Sequence, residues 1–198
     1  MNSPTHSLLA LALLSKKGHA KRNWAVFFGS IVPDLAIYLW APYQRFVNGV
    51  SGTEMWRELY FQPPMQNLIA VFNSIPIYLA LAISGWMLRS KTIGKLLMFF
   101  ALAALIHMAT DMPVHSEDAY RHFWPLSDWR FYSPLSYWDR SHHSGWISVV
   151  EAIMALASIV VLWRRFPSLW VKILLGILAL LYIIIQVMMI VARFQVSG

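Results

Sequence analysis

Ile173-Leu-Leu-Gly-Ile-Leu-Ala-Leu-Leu-Tyr182-Ile-Ile-Ile-Gln-Val-Met-Met-Ile-Val-Ala192 is twenty residues without a charge. At 1.5 Å rise per residue such a run makes a helix of about 30 Å, the thickness of a bilayer's hydrocarbon core. Working back along the chain, three more runs have this character. Pro63 to Leu88 carries no charge. Thr92 to Thr110 is broken only by Lys95, close enough to the end for its ammonium to reach the interface. Ile147 to Trp163 is charged only at Glu151. With 58 % hydrophobic residues, the 198-residue chain is too apolar for an ordinary soluble domain. It reads as an all-α integral membrane protein. About four transmembrane helices are expected, with an N-terminal helical hairpin and an aromatic-rich surface cap, all in one membrane domain.

The net charge of +7 does not form a nucleic-acid patch. Arg89, Lys91 and Lys95 lie between the first two long runs, and Arg164, Arg165 and Lys172 between the last two. Short basic loops of this kind stay cytoplasmic. The long 111–146 connection is therefore expected on the outer face, and the whole chain in a bacterial inner membrane, multi-pass. No cysteine is present, which excludes disulfides, thiolate ligands and cysteine nucleophiles. The N-terminus does not read as a cleavable signal, because no Lys or Arg precedes Leu8–Leu14 and Lys16-Lys17 follows it.

Two arrangements are open for residues 1–40. Ser7–Leu14 is apolar but too short to span, the segment Lys16 to Arg22 is basic, and Trp24–Trp40 is apolar again. A hairpin with its basic turn towards the cytoplasm would bring His6 and Asp34 to similar depth, roughly 15–18 Å above the turn. Alternatively 24–40 spans fully and leaves His6 on the cytoplasmic side. The hairpin is the reading taken here. Residues 41–67, punctuated by Pro42, Gly49, Gly52, Pro63 and Pro64, are expected at the interface, with a short helix near Glu54–Phe61. Residues 68–110 and 147–193 each supply two crossings. Between them, 111–146 is too polar to cross and, with Trp124, Trp129, Trp138 and Trp146, too aromatic for a loose linker; it reads as the cap.

The chemistry concentrates in one place. Five of the seven histidines and six of the nine carboxylates fall between His107 and Glu151. His107 and Asp111 are spaced i, i+4, which puts both on one helix face, a geometry that can chelate one metal. Pro113 ends that helix near Met112, so His115, Asp118 and His122 can fold back over the same point. His143, Ile147 and Glu151 would share a face if the next helix begins by Ser144. Inside an apolar run an unpaired Glu151 costs about 2.5–3.5 kcal/mol, so it should face the bundle with a partner. Each feature has a plainer reading: His19 belongs to the basic turn, His115 or His122 alone would be a surface residue, Asp34 after Pro33 could cap a helix, and the aromatics anchor the interface. The case for a site is that His6, Asp34, His107, Asp111, His115, His143 and Glu151 could all lie on one side. Imidazoles and carboxylates without thiolates favour zinc, manganese or iron.

The motifs Pro4-Thr-His6-Ser, Gly29-Ser-Ile-Val-Pro33-Asp34, His107-x3-Asp111-x-Pro113-x-His115 and His143-Ser144 resemble those of the LexA-regulated, membrane-bound metal-dependent hydrolases. His122-Phe-Trp-Pro-Leu-Ser-Asp128-Trp-Arg130 and Ser133-Pro-Leu-Ser-Tyr-Trp-Asp139 are similar to a proteobacterial branch of such proteins sometimes labelled for cobalamin biosynthesis. The resemblance runs to about Glu151. It implies a metal-dependent hydrolase, with a fainter similarity to zinc-dependent phospholipases C. Those enzymes close their site with His-x3-Glu; here Ile147 stands four residues after His143.

The expectation is therefore hydrolysis of a membrane-associated ester or phosphoester by a metal-activated water. His107, Asp111, His115 and His143 are the first ligands, with His6 and Asp34 completing a second position. Glu151 or Asp118 would act as general base or orient a ligand imidazole. Arg121, Arg130 and Arg140 would hold an anionic substrate group of a lipid or lipid-linked partner. The alternative is a non-catalytic membrane protein that binds or transports metal ions, in which Asp34 and Glu151 are transport ligands. A structural or assembly protein, whose polar cluster merely holds the cap down, is the third.

Overall fold

A computed structural model describes the backbone of residues 1–196 and the side chains of residues 1–189. Among them the regular structure is entirely helical: α1 (Ser3–Leu14), α2 (Ala20–Ile31), α3 (Leu35–Pro42), α4 (Gly52–Arg57), α5 (Pro63–Phe72), α6 (Ile75–Met87), α7 (Thr92–Asp111), α8 (Ser144–Arg165) and α9 (Leu169–Val196), with short 3-10 and π turns between some of them. Five segments are long and apolar enough to cross a membrane: Ala20–Val47, Pro63–Met87, Thr92–Val114, Ser144–Arg165 and Leu169–Met189.

That is one more than the four expected. The extra segment is continuous because α2, the 3-10 turn Val32–Asp34, α3 and the π turn Tyr43–Val47 follow one another without a break in direction-setting loops. The hairpin coexists with a segment long and apolar enough to cross. α1 turns back on α2 as the hairpin requires, while Ala20–Val47 is still long enough to span.

A twelve-residue helix covers only about 18 Å, and its ends would leave bare carbonyls and N–H groups in hydrocarbon. α1 escapes this by being sandwiched between α2, α7 and α8 and capped at both ends. Asn2 Oδ1 accepts from the Thr5 N–H at 3.0 Å. At the other end, Arg165 donates to the carbonyls of Leu11 and Ser15 at 3.1 and 2.9 Å, and Arg22 to that of Leu14 at 2.7 Å. α9 lies outermost against α8. It buries Leu175 and Tyr182 but exposes Leu174, Ile177, Leu180 and Ile184, the reverse of a soluble helix and the pattern of one meeting lipid.

The segment 63–87 breaks at Asn73-Ser74, and the freed polar groups find partners from two directions. Asn73 Nδ2 donates to Pro33 O at 2.9 Å, the Ile75 N–H donates to His122 O at 2.8 Å, and Ser74 Oγ donates to Trp124 O. This break therefore sits against the 3-10 turn that carries Asp34. α2 and α7 cross closely at Gly29, where a β-carbon would fall 2.1 Å from the Phe100 carbonyl oxygen. That contact sets Ser30 beside His107.

Candidate metal centre

His107 and Asp111 occupy the last two turns of α7, roughly 22–28 Å from its start and so near the edge of a 30 Å core. Both are buried, and His6 of α1 is completely so. His6, His107 and Asp111 each offer a ligand atom within 4.8 Å of the others, so the group could hold a metal ion. Asp34, delivered by the 3-10 turn, and His115, just beyond the end of α7, complete the surroundings.

The orientation of each imidazole is fixed from behind. His107 Nδ1 lies 2.8 Å from the Ser30 carbonyl, which can only accept, so Nδ1 carries the proton. His6 Nδ1 lies 3.0 Å from Thr110 Oγ1, whose own proton goes to the carbonyls of Ile106 and His107, so His6 Nδ1 also donates. His115 Nδ1 donates to Asp118 Oδ2 at 2.7 Å. All three Nε2 atoms consequently turn towards the Asp111 carboxylate. This is how imidazole ligands are held by outer partners in metal sites.

The distances around Asp111 say what the arrangement suits. His6 Nε2 is 3.2 Å from Oδ1, His115 Nε2 3.2 Å from Oδ2, and His107 Nε2 3.7 Å from Oδ2 and 3.5 Å from Asp34 Oδ1. The last two are too long for good hydrogen bonds, and His107 Nε2 is buried without a hydrogen-bond partner. Donors bonded to one tetrahedral ion at about 2.0–2.2 Å stand roughly 3.3–3.6 Å apart. The spacing is compatible with a shared cation, so the group could hold a metal ion. The His6 and His107 rings also stack, with centroids 3.7 Å apart, an arrangement that suits neutral imidazoles rather than two imidazolium ions. The Met1 amino nitrogen lies 2.5 Å from Asp111 Oδ1, a cationic group on the same carboxylate. Burial would lower the His115 pKa, but the adjacent Asp111 and Asp118 carboxylates outweigh it and raise it to about 9.

Asp34 Oδ2 accepts from Ser3 Oγ, which also contacts the Tyr38 hydroxyl. Asp34 and Asp111 form part of the floor of a cavity of about 860 Å³ that opens beside the cluster. Tyr38, Trp56, Phe61, Tyr137 and Trp138 supply much of its walls, and Asp118 stands at its margin. Tyr60 and Tyr120 also line it, and burial raises both phenols well above their ordinary range, so they remain neutral hydroxyls.

Several expected participants stand elsewhere. His143 is exposed and adopts a left-handed conformation (φ 65°) as the cap of α8, so it leaves the helical face that was to carry it with Glu151. Glu151 is buried against α1 instead: its Oε1 accepts from the Asn2 N–H at 2.7 Å and Thr5 Oγ1 at 2.9 Å, and Thr5 in turn contacts the Tyr182 hydroxyl. The partner required for an acid in an apolar run is therefore a helix terminus, and Glu151 does not line the cavity. Arg121 pairs with Asp128 at 2.9 Å and donates to Gln66 O and Asn67, while Arg130 donates to Gln66 Oε1 and Ala119 O; both brace the cap onto α5. Arg140 is exposed, and none of the three lines the cavity. Ser30 and Thr110, which orient the imidazoles, were not singled out. Thr110 did stand in sight, one turn after Ile106 and beside Asp111.

Comparison with protein-family models, curated proteins and solved structures returns no match.

Proposed function

We propose that the chain is a membrane-bound metal-dependent hydrolase acting on a membrane-associated ester or phosphoester, with its site at the outer face of a bacterial inner membrane. The observation that carries the reading is the convergence of three outward-tied imidazoles on one buried carboxylate, with the unpartnered Nε2 of His107 among them, and Asp34, Asp111 and His115 of this cluster line a large, aromatic-walled cavity. The resemblance to the LexA-regulated hydrolases points the same way. His6, His107, Asp111, His115 and Asp34 would hold the ion. An N/O donor set suits zinc first, then manganese or iron. A divalent ion there supplies a bound water of lowered pKa and polarises the scissile group. Ser30, Thr110 and Asp118 keep the imidazoles in the ligating tautomer, and the cavity walls exclude bulk water from the reacting end of the substrate.

The test is metal analysis of protein purified in detergent without chelator, paired with product release from phospholipid and carboxylic-ester substrates. One bound divalent ion or more, lost together with hydrolysis in His107→Ala and Asp111→Ala but retained in His19→Ala and His143→Ala, is the expected result. Protein that takes up no zinc, manganese or iron would reject the reading. The meeting of two helix breaks, through Asn73 Nδ2 and Pro33 O, favours a second reading, because interrupted helices often carry transported ions. Metal flux into proteoliposomes without hydrolysis would select it.

A further inference from the structure

The cavity beside the centre has a charge pattern that narrows its ligand. Its lining includes five carboxylates, those of Asp34, Asp111, Glu117, Asp118 and Asp139, and no lysine or arginine. Four of them have partners: Asp34 and Asp111 belong to the centre, Asp118 accepts from His115 Nδ1, and Asp139 accepts from Ser141 and lies 2.6 Å from His142 Nδ1. Glu117 is exposed and forms no hydrogen bond or ion pair among the described residues. Here the walls are aromatic: Tyr137 and Trp138 precede Asp139, and Trp56 and Tyr38 also line the cavity. The π faces of such rings attract ammonium groups. The arginines that could have held an anionic head group are engaged in the cap, as described above. Ile37, Ala41 and Pro42, from the segment 20–47 that is long and apolar enough to cross a membrane, add an apolar stretch of lining that suits a hydrocarbon tail.

We propose that this cavity selects an ester whose head group carries an ammonium, held between Glu117 and the aromatic wall, and discriminates against esters with purely anionic head groups. This rests on the hydrolase reading of the same site. The reacting ester would face Asp111 and His115, with the ammonium directed towards the cap. Such an ester could be a membrane lipid or a soluble ammonium phosphoester; the recognition chemistry is the same.

Binding tests the inference without needing turnover. Zinc-loaded full-length protein in neutral detergent is titrated calorimetrically with short-chain phosphatidylethanolamine, with phosphatidylglycerol of identical tails, and with tail-free glycerophosphoethanolamine. The first should bind roughly tenfold more tightly than the second, about one step of 1.4 kcal/mol. Glu117→Gln should reduce that ratio and Glu117→Lys abolish or invert it; Glu117 is exposed, so both should fold. Binding by the tail-free compound as tight as by the lipid assigns the ammonium site to a soluble ester; weaker binding assigns it to the lipid. Equal affinity for the two lipids, preference for phosphatidylglycerol, or a ratio unmoved by Glu117→Lys overturns the inference. Metal-dependent hydrolysis with an anionic preference would sink this inference alone, and ammonium preference in a protein that takes up no metal would sink the hydrolase reading alone.

Discussion

Thr110 decides the state of His6. Its hydroxyl spends its proton on the α7 carbonyls, so it can only accept from His6 Nδ1, which leaves Nε2 with a lone pair facing Asp111. Removing that acceptor frees the ring to flip or to change tautomer without removing any ligand. Outer partners of ligand imidazoles are typically worth 10–100-fold in metal affinity. Thr110→Val should therefore weaken zinc binding by about that factor, while Thr110→Ser, which keeps the hydroxyl, should restore most of it. A competition titration against a chromophoric chelator reads both. Equal affinities for wild type and Thr110→Val would show that the His6 ring is held by packing alone. The same logic explains what the sequence hid. His107 and Asp111 declare themselves by i, i+4 spacing, but the acceptors that aim the rings are a hydroxyl and a backbone carbonyl, and only tertiary placement gives either a role.

At the level of elements, α7 is the frame and α2 reaches it only because position 29 has no β-carbon. The backbone clash that an added methyl would meet, with Phe100 O at 2.1 Å, cannot be relieved by turning a side chain. Gly29→Ala should cost about 1–3 kcal/mol and, by moving the Ser30 carbonyl away from His107, lower metal content as well. Thermal unfolding and metal analysis of the same preparation check the coupling; a destabilised protein with full metal content would break it. The elements themselves were largely legible. Apolar runs with at most one charge located four of the segments, Pro113 marked the end of α7, and the short apolar run before Lys16 foretold the hairpin. Asn73-Ser74 inside the run 63–88 was missed, because a helix break in an apolar stretch shows only when its partners, Pro33 O and the cap carbonyls, are known. His143 was misplaced for a related reason: the helix does begin at Ser144, but a left-handed residue before it turns its side chain off the helical face.

Across the whole molecule, charge separates by end. Ten of the sixteen lysines and arginines lie in the turn 16–22 and the connections 89–95 and 164–172, and none of the nine carboxylates does. Arg165 reaching Leu11 and Ser15, and Arg22 reaching Leu14, tie α8 and α2 to the end of α1 at this pole. Asp34, Asp111 and the cap stand at the opposite pole. Insertion keeps Lys- and Arg-rich short loops in the cytoplasm while carboxylates count for little, so the basic pole is expected on the cytoplasmic side. A cysteine-free chain makes the test clean. Ser127→Cys, on the exposed cap, should react with a membrane-impermeant maleimide in intact spheroplasts, and Ser90→Cys, in the exposed α6–α7 turn, only after the membrane is opened. Both sites are far from the His–Asp cluster in function, so neither substitution should disturb metal content, which serves as the control for folding. Reaction in the reverse order would place the cavity on the cytoplasmic side and leave the centre intact but facing a different pool of lipid.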